Sequence, residues 1–442
     1  MIQNQRPYQL VFSKTGSAAF AAPIAVGARI CGLGLGILAS LLPERRMPIG
    51  DESAARAEAE RLFPRPEPSP ERFPPLPPCD PEVEVSVIVP AHNAERYITE
   101  CIDSVLTQAG GHRVQLIAVN DNSVDRTCEL LSRYRDLPDV ILPELHRGGS
   151  AARARNEGLL HAVGRYILFL DSDDVLAPGA IDSLLSAAER LGADVVQGGW
   201  QYIDEGGTRG ASQRYADAVY EGNCRADRFD LPGMPWGKLY RRELFSDIRF
   251  PPAYSCCEDT IIHFLIFRRA QRVASVRENV YFWRQNPRGI TAVSQNTPRA
   301  LQSYWIVGEL LDADARLGLP RDGLFLRSLV MQLSGFLYSN VAGLDESARR
   351  AVFRLCCAMY SRLVMGAGAG VDASAGAKVS VNASADASAG ADADVSVKAY
   401  EGSAAGIDPR GLPLSLRLCA HSLRTCRFRE WQRLGRLFQL MM

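Results

Sequence analysis

Arg165-Tyr-Ile-Leu-Phe-Leu-Asp-Ser-Asp-Asp174 is the stretch on which the reading of this chain turns. A short apolar run ends in three acids within four positions. The apolar part reads as a buried strand. Carboxylates crowded at a strand's end are costly unless a cation joins them. Asp171, Asp173 and Asp174 therefore point to a divalent-metal site at the carboxyl edge of a parallel sheet. Hard oxygen ligands suit Mg2+ or Mn2+, with substrate phosphate as co-ligand. The plainer reading is an acidic turn opening the next helix, with Pro178 at its first position.

The flanking segments supply the sheet. Val85–Val89 is an apolar run closed by Pro90, Ala91, His92 and Asn93. A helix is expected next, with Asn93 as cap and Ile98, Ile102 and Leu106 on one face. Val114–Val119 is a second strand, closed by Asn120-Asp-Asn-Ser123. Helices are expected over Ser150–Val163 and Pro178–Leu191, ended by Gly164 and Gly192, and a further strand over Ala193–Gln197. Strands alternating with helices imply a parallel sheet covered on both faces. In such sheets ligands bind beyond the carboxyl ends of the strands. Pro90, Asp121 and Asp171 each follow an expected strand directly, so sites far apart in sequence converge on one rim.

Val85-Ser-Val-Ile-Val-Pro-Ala-His-Asn-Ala94, Val119-Asn-Asp-Asn-Ser-Val-Asp125, Ala154-Arg-Asn-Glu-Gly158 and Leu170-Asp-Ser-Asp-Asp174 together resemble family 2 glycosyltransferases, in order and spacing as well as in wording. The resemblance covers about residues 83–290. It implies an α/β fold of the GT-A type: a Rossmann-like, mostly parallel sheet flanked by helices, here followed by a C-terminal helical region. His92 stands where the family usually has Tyr, and Asn122 where it usually has Gly. Both adjoin the expected nucleotide site.

The resemblance assigns roles. Pro90, Ala91 and Asn93 would approach the nucleotide of a sugar diphosphate. Asp121 would accept a hydrogen bond from the base, such as the imide N–H of uracil, a role that suits an ionised carboxylate. Asp171 would contact the ribose or metal-bound water, and Asp173 would bind Mn2+ or Mg2+ directly. Arg155 would meet phosphate or fix Asp171. Pro235-Trp-Gly-Lys238 and Ser255-Cys-Cys-Glu-Asp259 resemble later motifs, placing Trp236 and Lys238 on the acceptor side and Glu258 and Asp259 at the opening of a helix. Inverting transfer needs a base for the proton of the attacking hydroxyl, with a pKa nearer neutral than a free Asp. Asp259 is expected in that role, with Glu258 as substitute. Val280–Thr291 resembles the closing motif, in which Arg284 and Thr291 flank the donor diphosphate; Gly289 stands where Ser is usual.

Each residue also has a plainer reading: an Asx turn for Asp121, a salt bridge for Arg155, acids favoured in a helix's first turn for Glu258 and Asp259. Trp236 reads equally well as a buried anchor, and Lys238 as a cap or ion-pair partner.

The implied activity is metal-dependent, inverting transfer of a sugar from a nucleotide diphosphate donor, a UDP-sugar by the Asp121 assignment, to a hydroxyl of a glycan or lipid-linked acceptor in surface polysaccharide synthesis. Two alternatives come from other classes. A nucleotidyltransferase of similar fold would want a Gly-rich basic loop that Pro90–Asn93 does not offer. A non-catalytic nucleotide- or glycan-binding module would have no use for a base.

Composition agrees. Fifty Lys and Arg balance fifty Asp and Glu, which argues against bulk nucleic-acid binding. Eleven cysteines without a C-x-x-C pattern give no disulfide framework and fit the reducing cytoplasm. Five segments are expected. Residues 1–82 form an extension, with apolar Ser17–Leu42 and a Pro-rich linker. Residues 83–298 form the transferase domain and 299–365 a helical subdomain. Residues 366–407 are low-complexity and too poor in large apolar groups to fold. Residues 408–442 form a basic amphipathic helix, with Phe428, Trp431, Leu434 and Phe438 between arginines. That helix either lies on the inner face of the plasma membrane or docks on the protein.

Overall fold

Residues 85–91 are buried along their whole length, as befits a strand covered on both faces. The computed structural model describes residues 51–70, 72–108, 111–146, 150–221, 227–294, 297–365, 412 and 414–441. The apolar segment Ser17–Leu42 and the low-complexity segment 366–407 lie outside the described residues. Among the described residues eleven strands form one sheet. They are β1 (Val85–Ala91), β2 (Val114–Asp121), β3 (Val140–Ile141), β4 (Glu144–Leu145), β5 (Tyr166–Phe169), β6 (Val175–Leu176), β7 (Val195–Ile203), β8 (Arg209–Gln213), β9 (Ala218–Tyr220), β10 (Lys238–Arg241) and β11 (Val273–Arg284). The main order is β3-β2-β1-β5-β10-β7-β11-β6.

β1 pairs in parallel with β2 and β5, and β11 in parallel with β7. β10 is wedged between β5 and β7 and runs antiparallel to both. The sheet is therefore mixed at its centre, which alternating strand and helix patterns did not foretell. The same arrangement brings the carboxyl ends of β1, β2, β5, β7 and β11 and the amino end of β10 to one rim.

Helices cover the sheet by their apolar faces. Ile98–Leu106 buries Ile98, Cys101, Ile102 and Val105, and Ala180–Leu191 buries Ile181, Leu184, Leu185 and Ala188. This is the 3–4 spacing of a one-sided helix. Gly192 ends the second helix at φ 60°, the left-handed conformation that favours glycine. Asn93 is not the cap of the first. It lies in a left-handed turn at φ 49°, and its side chain accepts from the Val124 N–H at 2.9 Å, while Tyr97 occupies the cap position.

The chain divides into two compact units, Pro66–Gln295 with Arg316–Leu319, and Met1–Arg65 with Asn296–Ala315 and Pro320–Met442. Helix Glu52–Leu62, which the sequence did not announce within the N-terminal extension, belongs with the helical unit. There it packs on helix Glu346–Tyr360, with a 2.7 Å ion pair from Arg362 to Glu52. The expected single C-terminal helix is two, Leu414–Thr425 and Phe428–Met441. Phe428, Trp431 and Leu434 are buried. The Trp431 indole donates to the Leu333 carbonyl at 3.1 Å and meets Tyr338 edge-on. Three of the four apolar residues read as a membrane face are thus spent inside this unit, while the Phe438 side chain lies outside the described residues; docking is the alternative these three support. Among the described residues no helix is long and apolar enough to cross a membrane.

Gly164 shows how tightly β1 is held. Its N–H donates to Ser86 Oγ at 2.8 Å, and a Cβ here would lie 2.7 Å from the Ser86 backbone nitrogen. Backbone cannot swing aside as a side chain can. Gly164→Ala should therefore cost about 1–3 kcal/mol by overpacking, read as a lower urea midpoint at unchanged slope.

Candidate active site

The acidic turn leaves β5 at the sheet rim, and its three carboxylates meet different fates. Asp171 Oδ1 accepts from Arg155 Nη2 at 2.7 Å. Asp173 Oδ2 accepts from Asn286 Nδ2 at 2.9 Å. Asp174 is fully buried and turned inward, accepting from the Tyr281 hydroxyl and the Arg284 N–H, both at 2.7 Å. It is structural rather than part of the expected metal site. Burial, with the charges of Asp173 and Asp171, raises its pKa well above the usual carboxylate range. Burial and the Asp171 charge raise Asp173 too, against the bond from Asn286.

Arg155 ties this turn to a second loop. Its other nitrogen donates to Glu258 Oε1 at 2.7 Å, and its guanidinium lies over the Phe250 ring at 5.3 Å. Burial alone would lower its pKa, but the charges of Asp171 and Glu258 outweigh that and hold it above its usual value. Of the two readings for Arg155, fixing Asp171 is the one the geometry shows. Glu258 is committed to the same cation. Asp259 follows it, opening the helix Asp259–Ile261. Burial first and the Glu258 charge second push its carboxyl up to about 7, with Arg155 opposing.

At the β1–β2 end, Pro90 and Ala91 are buried and Asn93 is exposed. His92 Nδ1 lies 2.7 Å from the Asp121 carbonyl. Asp121 is buried, and its Oδ2 accepts from the Ser150 N–H at 3.1 Å. Pro90, Ala91, Asn93 and Asp121 thus share one end of the rim.

Three expected contacts are placed differently. Arg284 is buried and its guanidinium is occupied. It donates to the Asp173 carbonyl at 2.8 Å, to the Asp204 and Glu205 carbonyls and to Glu100 Oε2 at 2.6 Å. It clamps the acidic turn instead of facing outward to a diphosphate, because β11 delivers it beneath that turn. Trp236 is 3% exposed and stacks on Tyr281 at 4.4 Å and 10°. It is the buried anchor, not an acceptor platform. Lys238 is buried, with its ammonium donating to the Met234 carbonyl. Burial lowers its pKa to about 7, against the pull of Asp259. Among the described residues neither ring nitrogen of the neighbouring buried His263 has a hydrogen-bond partner, and burial and the Lys238 charge lower its pKa to about 3. Thr291 lies on the short helix Ile290–Ser294.

Sequence reasoning missed Tyr281 on β11 and Asn286 just beyond it, which hold the acidic turn. Their signal was available only as positions inside the Val280–Thr291 motif. Among the described residues no three His, Cys, Asp or Glu side chains could hold a metal ion by themselves. The donor chemistry still fits a hard cation. Mg2+ and its like are held by one or two carboxylates with substrate phosphates and water, and Asp171 and Asp173 supply two partly exposed carboxylates on one turn.

Residues 86–249 match the family described as Glycosyl transferase family 2. The uncharacterized glycosyltransferase EpsJ of Bacillus subtilis is 33% identical over 219 residues, covering 47% of this chain and 63% of that protein. The poly(ribitol-phosphate) beta-N-acetylglucosaminyltransferase TarS of Staphylococcus aureus is 26% identical over 206 residues, covering 46% of this chain and 35% of that protein. The chain spans less than two thirds of the length of either relative. The crystal structure of S. aureus TarS 1-349 in complex with UDP-GlcNAc superposes with TM-score 0.48 at 18% identity, covering 80% of this chain and 91% of that one.

Arg155→Gln removes the one cation that both Asp171 and Glu258 bond. Breaking a buried ion pair from one side costs about 3–5 kcal/mol. The variant should melt well below the parent, and adding Glu258→Gln should recover part of that loss.

Proposed function

We propose, from the match of residues 86–249 to the family described as Glycosyl transferase family 2, that this protein is an inverting glycosyltransferase that uses a nucleotide diphosphate sugar. One observation carries the assignment of the base. Glu258 is neutralised by Arg155, whereas its neighbour Asp259 carries a carboxyl pushed up to about 7. A base poised near neutral pH can take a proton at working pH and still be ionised. Asp259 is thus the base, and Glu258 is a positioning residue.

The donor lies along the rim. Its nucleotide end sits by Pro90, Ala91 and Asn93, with Asp121 accepting from the base. The UDP donor follows from that acceptor-only carboxylate. Asp173, with Asp171 beside it, would hold Mg2+ or Mn2+ together with the donor diphosphate. When bound, the ion supplies positive charge against the diphosphate. Arg155 and Arg284 act on the protein rather than the donor: the first orients Asp171, the second holds the backbone of Asp173. Thr291 remains a candidate for the diphosphate.

In the single displacement, the acceptor oxygen attacks the anomeric carbon and the bond from that carbon to the diphosphate oxygen breaks. The bonding pair leaves with UDP, and the hydroxyl proton passes to Asp259. The acceptor is a hydroxyl of an envelope glycan or lipid-linked sugar. The printed name of TarS, a transferase acting on poly(ribitol phosphate), supports an envelope polymer as the acceptor, without fixing whether the accepting unit is a ring or a polyol. Nucleotide sugars are made in the cytoplasm, where we place the reaction.

Release of UDP from UDP-N-acetylglucosamine with Mn2+ tests this. The rate should rise with pH through about 7, because Asp259 must be ionised to act. Asp259→Asn should lose that rise and about 10²–10⁴-fold in rate. A flat profile from about pH 5 to about pH 9 in the parent protein would remove Asp259 from the mechanism. Asp173→Ala should lose the rise in melting temperature that UDP with Mn2+ gives the parent protein, since a ligand that binds only the native state must stabilise it.

A further inference from the structure

The rim carries an aromatic surface that the proposed chemistry does not use. β7 and β11 run in parallel register, with Tyr281 opposite Trp200 and Trp283 opposite Tyr202. Side chains two apart on a strand share a face, so all four rings lie on one side of the sheet. Two of them, Trp200 and Tyr281, form a buried floor with Trp236. Trp236 stacks on Tyr281, and Trp200 meets Trp236 edge-on at 5.8 Å. Trp283 and Tyr202 sit above that floor, 4.9 Å apart and tilted by 39°. Trp200 holds both from beneath, at 5.7 Å and 4.8 Å. Both upper rings are only partly buried.

We propose that Trp283 and Tyr202 form the platform on which a pyranose ring of the acceptor glycan stacks. The inference rests on the glycosyltransferase reading and adds to it the class of acceptor, a cyclic sugar rather than an acyclic polyol.

Position on the rim is the first argument. Two links run from the platform's floor to the chemistry. Tyr281 donates to Asp174 and accepts from the Asp171 N–H. On the other side Met234 packs against the hydrophobic core to which Trp200, Trp236 and Tyr281 belong, its carbonyl accepts from Lys238, and Lys238 feels the Asp259 charge. An acceptor must reach between a diphosphate at the acidic turn and a base at Asp259, and the floor beneath the platform is bonded to that turn and joined through Lys238 toward that base.

The second argument is exclusion of the nucleobase. The base site at Asp121 is on β2. Along the order β2-β1-β5-β10-β7-β11, five strand spacings of about 4.8 Å separate it from Trp283, about 24 Å along the sheet. A nucleobase held at Asp121 does not reach that far.

The third is surface chemistry. Tyr and Trp present apolar faces with polar edges. Asn286, three residues beyond Trp283, is a polar neighbour already bonded to Asp173. A pyranose has the matching character, with an apolar C–H face and a rim of hydroxyls. The floor fixes both rings in place, so little side-chain entropy is lost when a sugar settles on them.

Tryptophan emission reads the site directly. Of five tryptophans, Trp200, Trp236 and Trp283 belong to this cluster. The full chain, with UDP and Mn2+ present, is titrated with cellobiose, with chitobiose and with ribitol 5-phosphate. A melting-temperature rise with UDP and Mn2+ is the control for donor binding and for folding of each variant. The expected result is saturable quenching by a disaccharide and none by ribitol phosphate. Trp283→Ala should weaken the disaccharide about tenfold, while Trp283→Phe retains most of the affinity. Quenching by ribitol phosphate alone, or disaccharide affinity unchanged in Trp283→Ala, would overturn the platform and leave the transferase reading standing. No quenching by either disaccharide with UDP bound would do the same. Failure of UDP to stabilise the parent protein would instead overturn both.

Discussion

Arg155 is the constraint from which the rest of the site follows. A single buried guanidinium takes Asp171 from the acidic turn and Glu258 from a loop about a hundred residues further on, each at 2.7 Å. A planar fork with donors on both arms can do this where a lysine could not. The pair of bonds sets two loops in register without any covalent link. It also separates the acids by role. Glu258 is paired in place, and burial together with the Glu258 charge pushes the carboxyl of the adjoining, half-buried Asp259 up to about 7. The difference between two adjacent acids thus arises from which one the arginine reaches.

β11 supplies the other half of the control. Its last turn of chain presents Tyr281 and Arg284 on opposite faces. One donates to Asp174 by its hydroxyl, the other by its backbone N–H. Arg284 then spans Asp173, Asp204, Glu205 and Glu100. The acidic turn is consequently held from below by aromatic and cationic groups that never reach the rim. Asp173, partly buried and bonded by Asn286, is the member left able to take a cation. The antiparallel insertion of β10 makes this possible. It sets Trp236 and Lys238 at the rim as β7 and β11 end there, and so builds one aromatic layer from three strands distant in sequence.

The helical unit follows a simpler rule. Its helices are one-sided, and each apolar face finds another within the unit. Helix Glu52–Leu62 is joined to Glu346–Tyr360, and Phe428–Met441 carries a buried Trp431 bonded to Leu333. Burial of a large indole with its N–H satisfied is stabilising on both counts.

The sequence by itself determined the elements and the composition of the rim. Apolar runs at 85–89, 114–119 and 166–169 had to be strands, and each is followed by polar residues, so Pro90, Asp121 and Asp171 had to meet at one edge of a parallel sheet. Helical spacing likewise gave Ile98–Leu106 and Ala180–Leu191 to within a few residues. These are local properties, written in the period of burial. Side-chain direction and partnership are not local. That Arg284 turns under the acidic turn, that Trp236 stacks on Tyr281, that Asp174 faces inward and that Arg155 chooses Glu258 over Asp259 depend on strands and loops up to about 110 residues apart. Only the tertiary structure decides them, because a charge or a ring is assigned its role by whichever groups the fold places within hydrogen-bond or stacking distance.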